Sequence, residues 1–189
     1  MRRVALPVLL LLLGVLSACG PGEPAAPPPA QAGTAPGATD LTLSSSAFVS
    51  GEPIPVLYTC QGEDLSPPLQ WSGPPAGAQA FVLFVDDPDG GDWVHWSIYN
   101  LPAGAAGLPQ ALPHNAELPD GSRQGKNSWG KLGYGGPCPP SGTHQYVFRL
   151  YALDAPLSLE AGAAKEALFR AMEGHILAQA QLVGLYSQR

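Results

Sequence analysis

Four side chains in this sequence have the chemistry to bind or move charge and stand where the chain turns: Asp87, His95, His144 and Tyr146. Asp87 lies in DDPDGGD (86–92), where Pro88 cannot continue a central ladder and holds the residue before it extended. Asp and Gly also favour turns for their own sake, so these acids have a purely conformational reading as well. His95 follows in WVHWSIYNL, near enough for a turn to bring it beside Asp87. His144 and Tyr146 open HQYVFRLYAL, and residues two apart on a strand share a face. That face continues through Phe148 and Leu150, so a polar pair ends an apolar row, as at the lip of a pocket. The stiff stretch GPCPPSGT stands directly before it.

Three chemistries suit such a set. The first is an anion site, in which imidazole N–H groups, the tyrosine hydroxyl and free backbone N–H groups of GYGGP donate to a phosphate or carboxylate. Asp87 would then orient a histidine and favour its cationic form. The second is a metal site, for which His and Asp are suitable ligands, but no H-x-x-x-H or H-E-x-x-H spacing supports it. No metal or cofactor is therefore expected. The third is hydrolysis by Ser141, three residues before His144. No G-x-S-x-G elbow is present, and PPSG reads as a turn.

Short strand-like runs must position these groups. They are PIPVLYTC (53–60), QAFVLFVDD (79–87), WVHWSIYNL (93–101) and HQYVFRLYAL (144–153), separated by Gly and Pro. The second is nearly continuous apolar, as in a central strand buried on both faces. Regular alternation in the third places Trp93, His95, Ser97 and Tyr99 on one face, with Val94, Trp96 and Ile98 on the other. From Ala163 to about Tyr186, Leu168, Met172, Ile176 and the Leu182/Leu185 pair recur at helical spacing, with His175 on the helix surface. The expected fold is mainly β, mostly antiparallel, with a C-terminal helix.

The N-terminus reads differently. Met1-Arg2-Arg3 precedes the apolar run Ala5 to Leu16, which is shorter than the roughly 20 residues a membrane-spanning helix takes. It has the build of a secretory signal, residues 1–18, ending in Leu-Ser-Ala-Cys-Gly. A small residue before a cysteine at this place resembles a bacterial lipobox, which implies cleavage before Cys19 and its acylation. Residues 19–40, rich in Pro, Ala and Gly, would tether the anchor to a single folded domain, 41–189. Cleavage removes Arg2 and Arg3 and no acid, taking the formal net charge from −6 to −8. With no basic patch, a nucleic-acid partner is excluded.

The motifs DPD (87–89), W-V-H-W (93–96) and GYGGPCPPSGTHQYVFRLYALD (133–154) together resemble the phosphatidylethanolamine-binding protein family, in its bacterial, Raf kinase inhibitor-like branch. YTCQGEDLSPPLQWSG, NSWGKLGYGG and the ending AMEGHILAQAQLVGLYS extend the likeness over 41–189. The resemblance implies a large antiparallel sheet with a smaller one, and a non-catalytic anion pocket. That pocket would be formed by Asp87, His95, the loop from Gly136 through Pro139 and Pro140, His144 and Tyr146. Its partner would be a small anion or phospholipid headgroup. An alternative is an inhibitor or regulator of an envelope enzyme such as a protease. If Cys19 carries lipid, Cys60 and Cys138 remain, and export favours their pairing as a disulfide. Gly20 is not the aspartate that retains lipoproteins at an inner membrane, so in a diderm envelope the outer membrane is the expected location.

Overall fold

In the computed structural model residues 41–188 are described; the signal, the lipobox and the tether expected from the sequence lie outside them. β1 (Thr42–Ser44) and β2 (Leu69–Ser72) are followed by the long strands β3 (Ala80–Asp87) and β4 (Trp93–Pro102). Then come two short strands, β5 (Gly107–Leu108) and β6 (Arg123–Gln124), the long β7 (His144–Leu153), the helix α1 (Lys165–Met172) and β8 (Ile176–Tyr186). Five strands form one antiparallel sheet in the order β6-β4-β3-β7-β8, and three form a smaller sheet, β1-β2-β5. The fold class is the expected one: mostly β, with a large and a small sheet and one helix.

β3 is central, and all eight of its residues are buried. Alternation sends Phe81, Leu83 and Val85 into the larger core, shared with Leu43, Leu69 and Trp71 of the small sheet. Val82 and Phe84 enter a second core, closed by Leu168 and Met172 of α1. The strand therefore ends with two carboxylates on opposite faces. Asp86, fully buried on the helix side, accepts from Arg149 Nη1 at 2.7 Å and Lys165 Nζ at 2.8 Å. A carboxylate buried this deeply persists because its charge is matched twice over. Asp87 points to the other side.

Three expectations are corrected. The run 53–60 is not a strand: Pro53 and Pro55 lack the N–H a ladder needs, and Val56–Tyr58 form one 3-10 turn. The helix does not run from 163 to 186. It ends at Met172, and Gly174 turns the chain at φ 78° into β8. Leu168 and Met172 are core residues as expected, but Ile176 is 44% exposed. Beyond Gly174 the period changes from 3.6 to 2, with Ala178, Ala180 and Leu182 packing on the larger core and Gln179 and Gln181 facing away. Leu182 and Leu185, three apart, share a face only in a helix, whereas Ala178, Ala180 and Leu182 share one only in a strand, and the open edge of β7 decides for strand. His175 accordingly sits in the turn, its Nδ1 at 2.7 Å from Asp154 Oδ1.

The third correction concerns β4. Val85 pairs with Trp96 but Asp86 with Val94, so His95 is an extra residue, a β-bulge. Simple alternation fails there. The His95 ring packs against Tyr146 of the larger core, which also holds Trp96 and Ile98, whereas Tyr99 enters the helix-side core.

Candidate functional site

The ends of β3 and β7 meet beside the bulge of β4. Asp87 Oδ2 lies 2.7 Å from His144 Nδ1, and its Oδ1 accepts the Gly90 amide at 2.8 Å. Gly90 permits this approach: a Cβ there would fall 2.8 Å from Asp87 Oδ2. Asp89 Oδ2 accepts the Gln145 amide at 2.7 Å, pinning the turn to the start of β7. Since Asp87 can only accept, the His144 ring donates from Nδ1 and leaves Nε2 for another partner.

His95 is 3% exposed. Its Nδ1 is 2.6 Å from the Gly135 carbonyl, again an acceptor, so Nδ1 carries the hydrogen. Burial lowers its pKa below the ordinary 6.5, outweighing the Gly135 bond and the charges of Asp87 and Asp86, which raise it. His95 is therefore neutral at neutral pH, with Nε2 a hydrogen-bond acceptor. Its ring stands edge-on to Tyr146 and to Trp129, each with centroids 5.0 Å apart. Trp129 in turn meets Trp93 at 5.4 Å, and both indoles are exposed, at 45% and 39%.

Asp87, Asp89, Gly90, Trp93, His95, Trp129, Cys138, Pro140 and His144 line a cavity of about 390 Å³. Of the residues expected to form the pocket, Asp87, His95, Pro140 and His144 are brought together around it. Tyr146 is adjacent but fully buried, beneath the floor and not on the wall. Its hydroxyl is buried close to the Asp87 carboxylate and the Cys138 backbone, and burial, then the Asp87 charge, pushes its pKa far up. Pro139 is buried outside the lining, and Gly136 lines a neighbouring cavity of about 400 Å³.

Two of the amides expected to be free in GYGGP are engaged. The Gly135 amide donates to the His95 carbonyl at 2.9 Å, and the Gly136 amide donates to Asp64 Oδ1 at 2.6 Å. Both hold the loop to the scaffold, because a loop packed this closely must satisfy its own backbone groups. A Cβ at Gly136 would lie 2.5 Å from Asp64 Oδ1 and 2.6 Å from the Tyr58 carbonyl oxygen. Cys60 and Cys138 form the expected disulfide, with Cα atoms 5.5 Å apart, and Cys138 sits on the wall between the two cavities.

Trp93, Trp129 and Asp64 were not singled out as site residues in the sequence. Trp129 offered a signal only once the fold is known, as an aromatic in a glycine-bounded turn. Its position depends on Asn127, whose Oδ1 accepts the amides of Trp129 and Lys131 at 3.1 and 3.0 Å. Asp64 is marked only by its backbone, at φ 56°, a conformation uncommon outside glycine.

The profile of the phosphatidylethanolamine-binding protein family matches residues 44–187. A UPF0098 protein of Methanothermobacter thermautotrophicus is 53% identical over 148 residues, covering 77% of this chain and 98% of that one. A crystal structure of a phosphatidylethanolamine-binding protein homologue from Chlamydia trachomatis superposes with a TM-score of 0.73 at 42% identity, covering 80% of this chain and 99% of the other. The crystal structure of E. coli YbcL, described as a member of the mammalian family, gives a TM-score of 0.73 at 30% identity, with 79% and 99% coverage. With a family profile that matches nearly all of the described chain and a relative at 53% identity, the chain belongs to the phosphatidylethanolamine-binding protein family.

Proposed function

We propose that this chain is a binding protein whose cavity takes a small anion, a phosphate or a phospholipid headgroup, without transforming it. The observation that carries this reading is the pair Asp87–His144, 2.7 Å apart at the wall of the cavity. The carboxylate fixes the ring through Nδ1 and leaves Nε2, the second ring nitrogen, to meet an anion. Neither acid repels the ligand at full strength, since Asp87 accepts from His144 and Gly90, and Asp89 from Gln145. His95 adds the opposite requirement. Its neutral Nε2 accepts, so the ligand carries a proton donor beside its anionic oxygen. A protonated phosphate oxygen and a headgroup ammonium both satisfy that.

Two observations favour binding over catalysis. Ser141 is exposed in a turn and is not part of the cavity lining. The Tyr146 hydroxyl, its pKa pushed up, is a poor nucleophile.

The test is an NMR titration with inorganic phosphate and with phosphoethanolamine, following the His95 and His144 rings. Both rings should shift, and His144→Ala should weaken binding at least tenfold, the loss of one charge-assisted hydrogen bond of about 1.5–3 kcal/mol. Rings that remain unmoved by either ligand would overturn the reading. Preference for phosphoethanolamine over phosphate would identify the headgroup as the source.

We also propose that the chain is exported and held at a membrane by lipid on Cys19, through the tether 19–40. The lipobox-like sequence is the support. Two acyl chains anchor stably where one does so only marginally.

A further inference from the structure

The neighbouring cavity of about 400 Å³ shares the Cys138 wall but plays no part in the anion reading. Its size falls in the range of roughly 300–1,000 Å³ that small-molecule sites occupy. Most of its polar groups are already engaged. Asn127 accepts at Oδ1 from the amides of Trp129 and Lys131, and its Nδ2 donates to the Gly133 carbonyl at 3.2 Å. The Tyr134 hydroxyl donates to the Tyr58 carbonyl at 2.8 Å. The Gly135 and Gly136 amides are taken by the His95 carbonyl and Asp64 Oδ1. What remains in the lining is the Lys131 ammonium, the His114 ring and the second carboxylate oxygen of Asp64. Among the described residues no ion pair joins Lys131 to Asp64, or either of them to any other side chain.

The fold keeps these two charges on one cavity and apart. Asp64 is fixed twice, by a backbone at φ 56° and by the bond from the Gly136 amide to Oδ1 at 2.6 Å. Lys131 is fixed at its backbone by Asn127, whose amide donates to the Lys131 carbonyl at 2.8 Å and whose Oδ1 accepts the Lys131 amide at 3.0 Å. His114 is seated on Gly133, where a Cβ would fall 2.6 Å from the ring carbon Cδ2. A cavity with one unpaired cation and one unpaired anion repels a lone ion of either sign at one of its charges. It attracts a ligand that carries both. Leu132, the Trp129 ring and the Cys60–Cys138 disulfide make the rest of the wall largely apolar.

We propose that this cavity binds a zwitterionic α-amino acid with an apolar side chain. Its carboxylate lies on Lys131, its ammonium on Asp64 and its side chain against Leu132 and Trp129. The charge count favours a carboxylate over a phosphate monoester, which would bring about −1.5 to −2 charges to a single lysine beside an acid. Because the Gly136 amide already holds one oxygen of Asp64, the other is aimed before the ligand arrives, and little entropy is lost on binding. The site is separate from the anion cavity and does not rest on the reading of it.

NMR of the full chain in mild detergent should show the Lys131, Leu132 and Gly136 amides shifting to saturation as L-leucine is added. L-leucinamide lacks the carboxylate and isocaproate lacks the ammonium. Each should bind at least roughly tenfold more weakly, the loss of one charge-assisted hydrogen bond. Lys131→Met should lower leucine to the level of leucinamide without weakening leucinamide itself. Asp64→Asn, which keeps an oxygen for the Gly136 amide, should lower leucine to the level of isocaproate. Inorganic phosphate should not displace leucine, so the two cavities are tested separately. Amides that stay unmoved at tens of millimolar leucine overturn the proposal. Leucinamide or isocaproate binding as tightly as leucine overturns it too, as does displacement of leucine by phosphate.

Discussion

At the scale of single residues, the two cavity histidines are made different by what each Nδ1 meets. His144 meets a carboxylate and His95 a carbonyl, at 2.7 and 2.6 Å. A charge-supporting partner suits one ring to donate; burial and a neutral partner suit the other to accept. The difference has a consequence for stability. Burial holds His95 below 6.5 in the folded chain. As pH falls through 6.5, the unfolded chain takes up a proton at this ring and the folded chain resists it, so the native state loses stability below that pH. Thermal melts from neutral pH down to about 5 should show this decline, and His95→Gln should flatten part of it. An identical slope in the variant would remove His95 from the cause. Which residues would matter was partly legible at this scale. The i, i+2 spacing placed His144 and Tyr146 on one face, but only the packed structure shows that Tyr146 lies under the cavity and His144 in its wall.

At the scale of elements, the site is a junction of two strand ends, one bulge and two loops. The ends of β3 and β7 are visible in sequence because a continuous apolar run stops at Asp87 and another starts after His144. The bulge is not, since it arises from pairing: β4 has one residue more than β3 between Val94 and Trp96. It turns the His95 ring toward Tyr146, where an unbroken strand would have placed it with Ser97 and Tyr99. The loops are joined by Cys60–Cys138, across a sequence separation of 78. In the chain-entropy view, closing a loop of that length stabilises by about 4 kcal/mol. Replacing both cysteines by serine should lower the denaturation midpoint accordingly, and a reductant should bring the unmodified chain to the same value. Equal midpoints before and after reduction would show that the bridge contributes nothing.

At the scale of the whole molecule, two cores on either side of β3 make the cavity rigid. The larger core supports it from below through Tyr146, and the helix-side core holds Asp86 and α1 away from it. Preorganised groups lose little entropy when a ligand arrives. A binding domain of this kind acts where it is held, which gives the proposed anchor its meaning. Cys19→Ser should move the chain from the membrane fraction to the soluble fraction of a cell lysate. An unchanged distribution would reject lipid at Cys19 as the anchor.

By itself the sequence determined whatever depends on neighbours along the chain: the apolar runs of β3 and β7, the acids and histidine at their ends, the proline-stiffened loop and the presence, but not the end, of a helix through Leu168 and Met172. The tertiary structure decided what depends on partners far away. It ended the helix before Gly174 because Ile176–Tyr186 could pair with the open edge of β7. It gave the Gly135 and Gly136 amides to His95 and Asp64 instead of to a ligand, and it put Trp129 against His95. Backbone groups must be satisfied by whichever partner the fold brings near, and no local pattern records which partner that is.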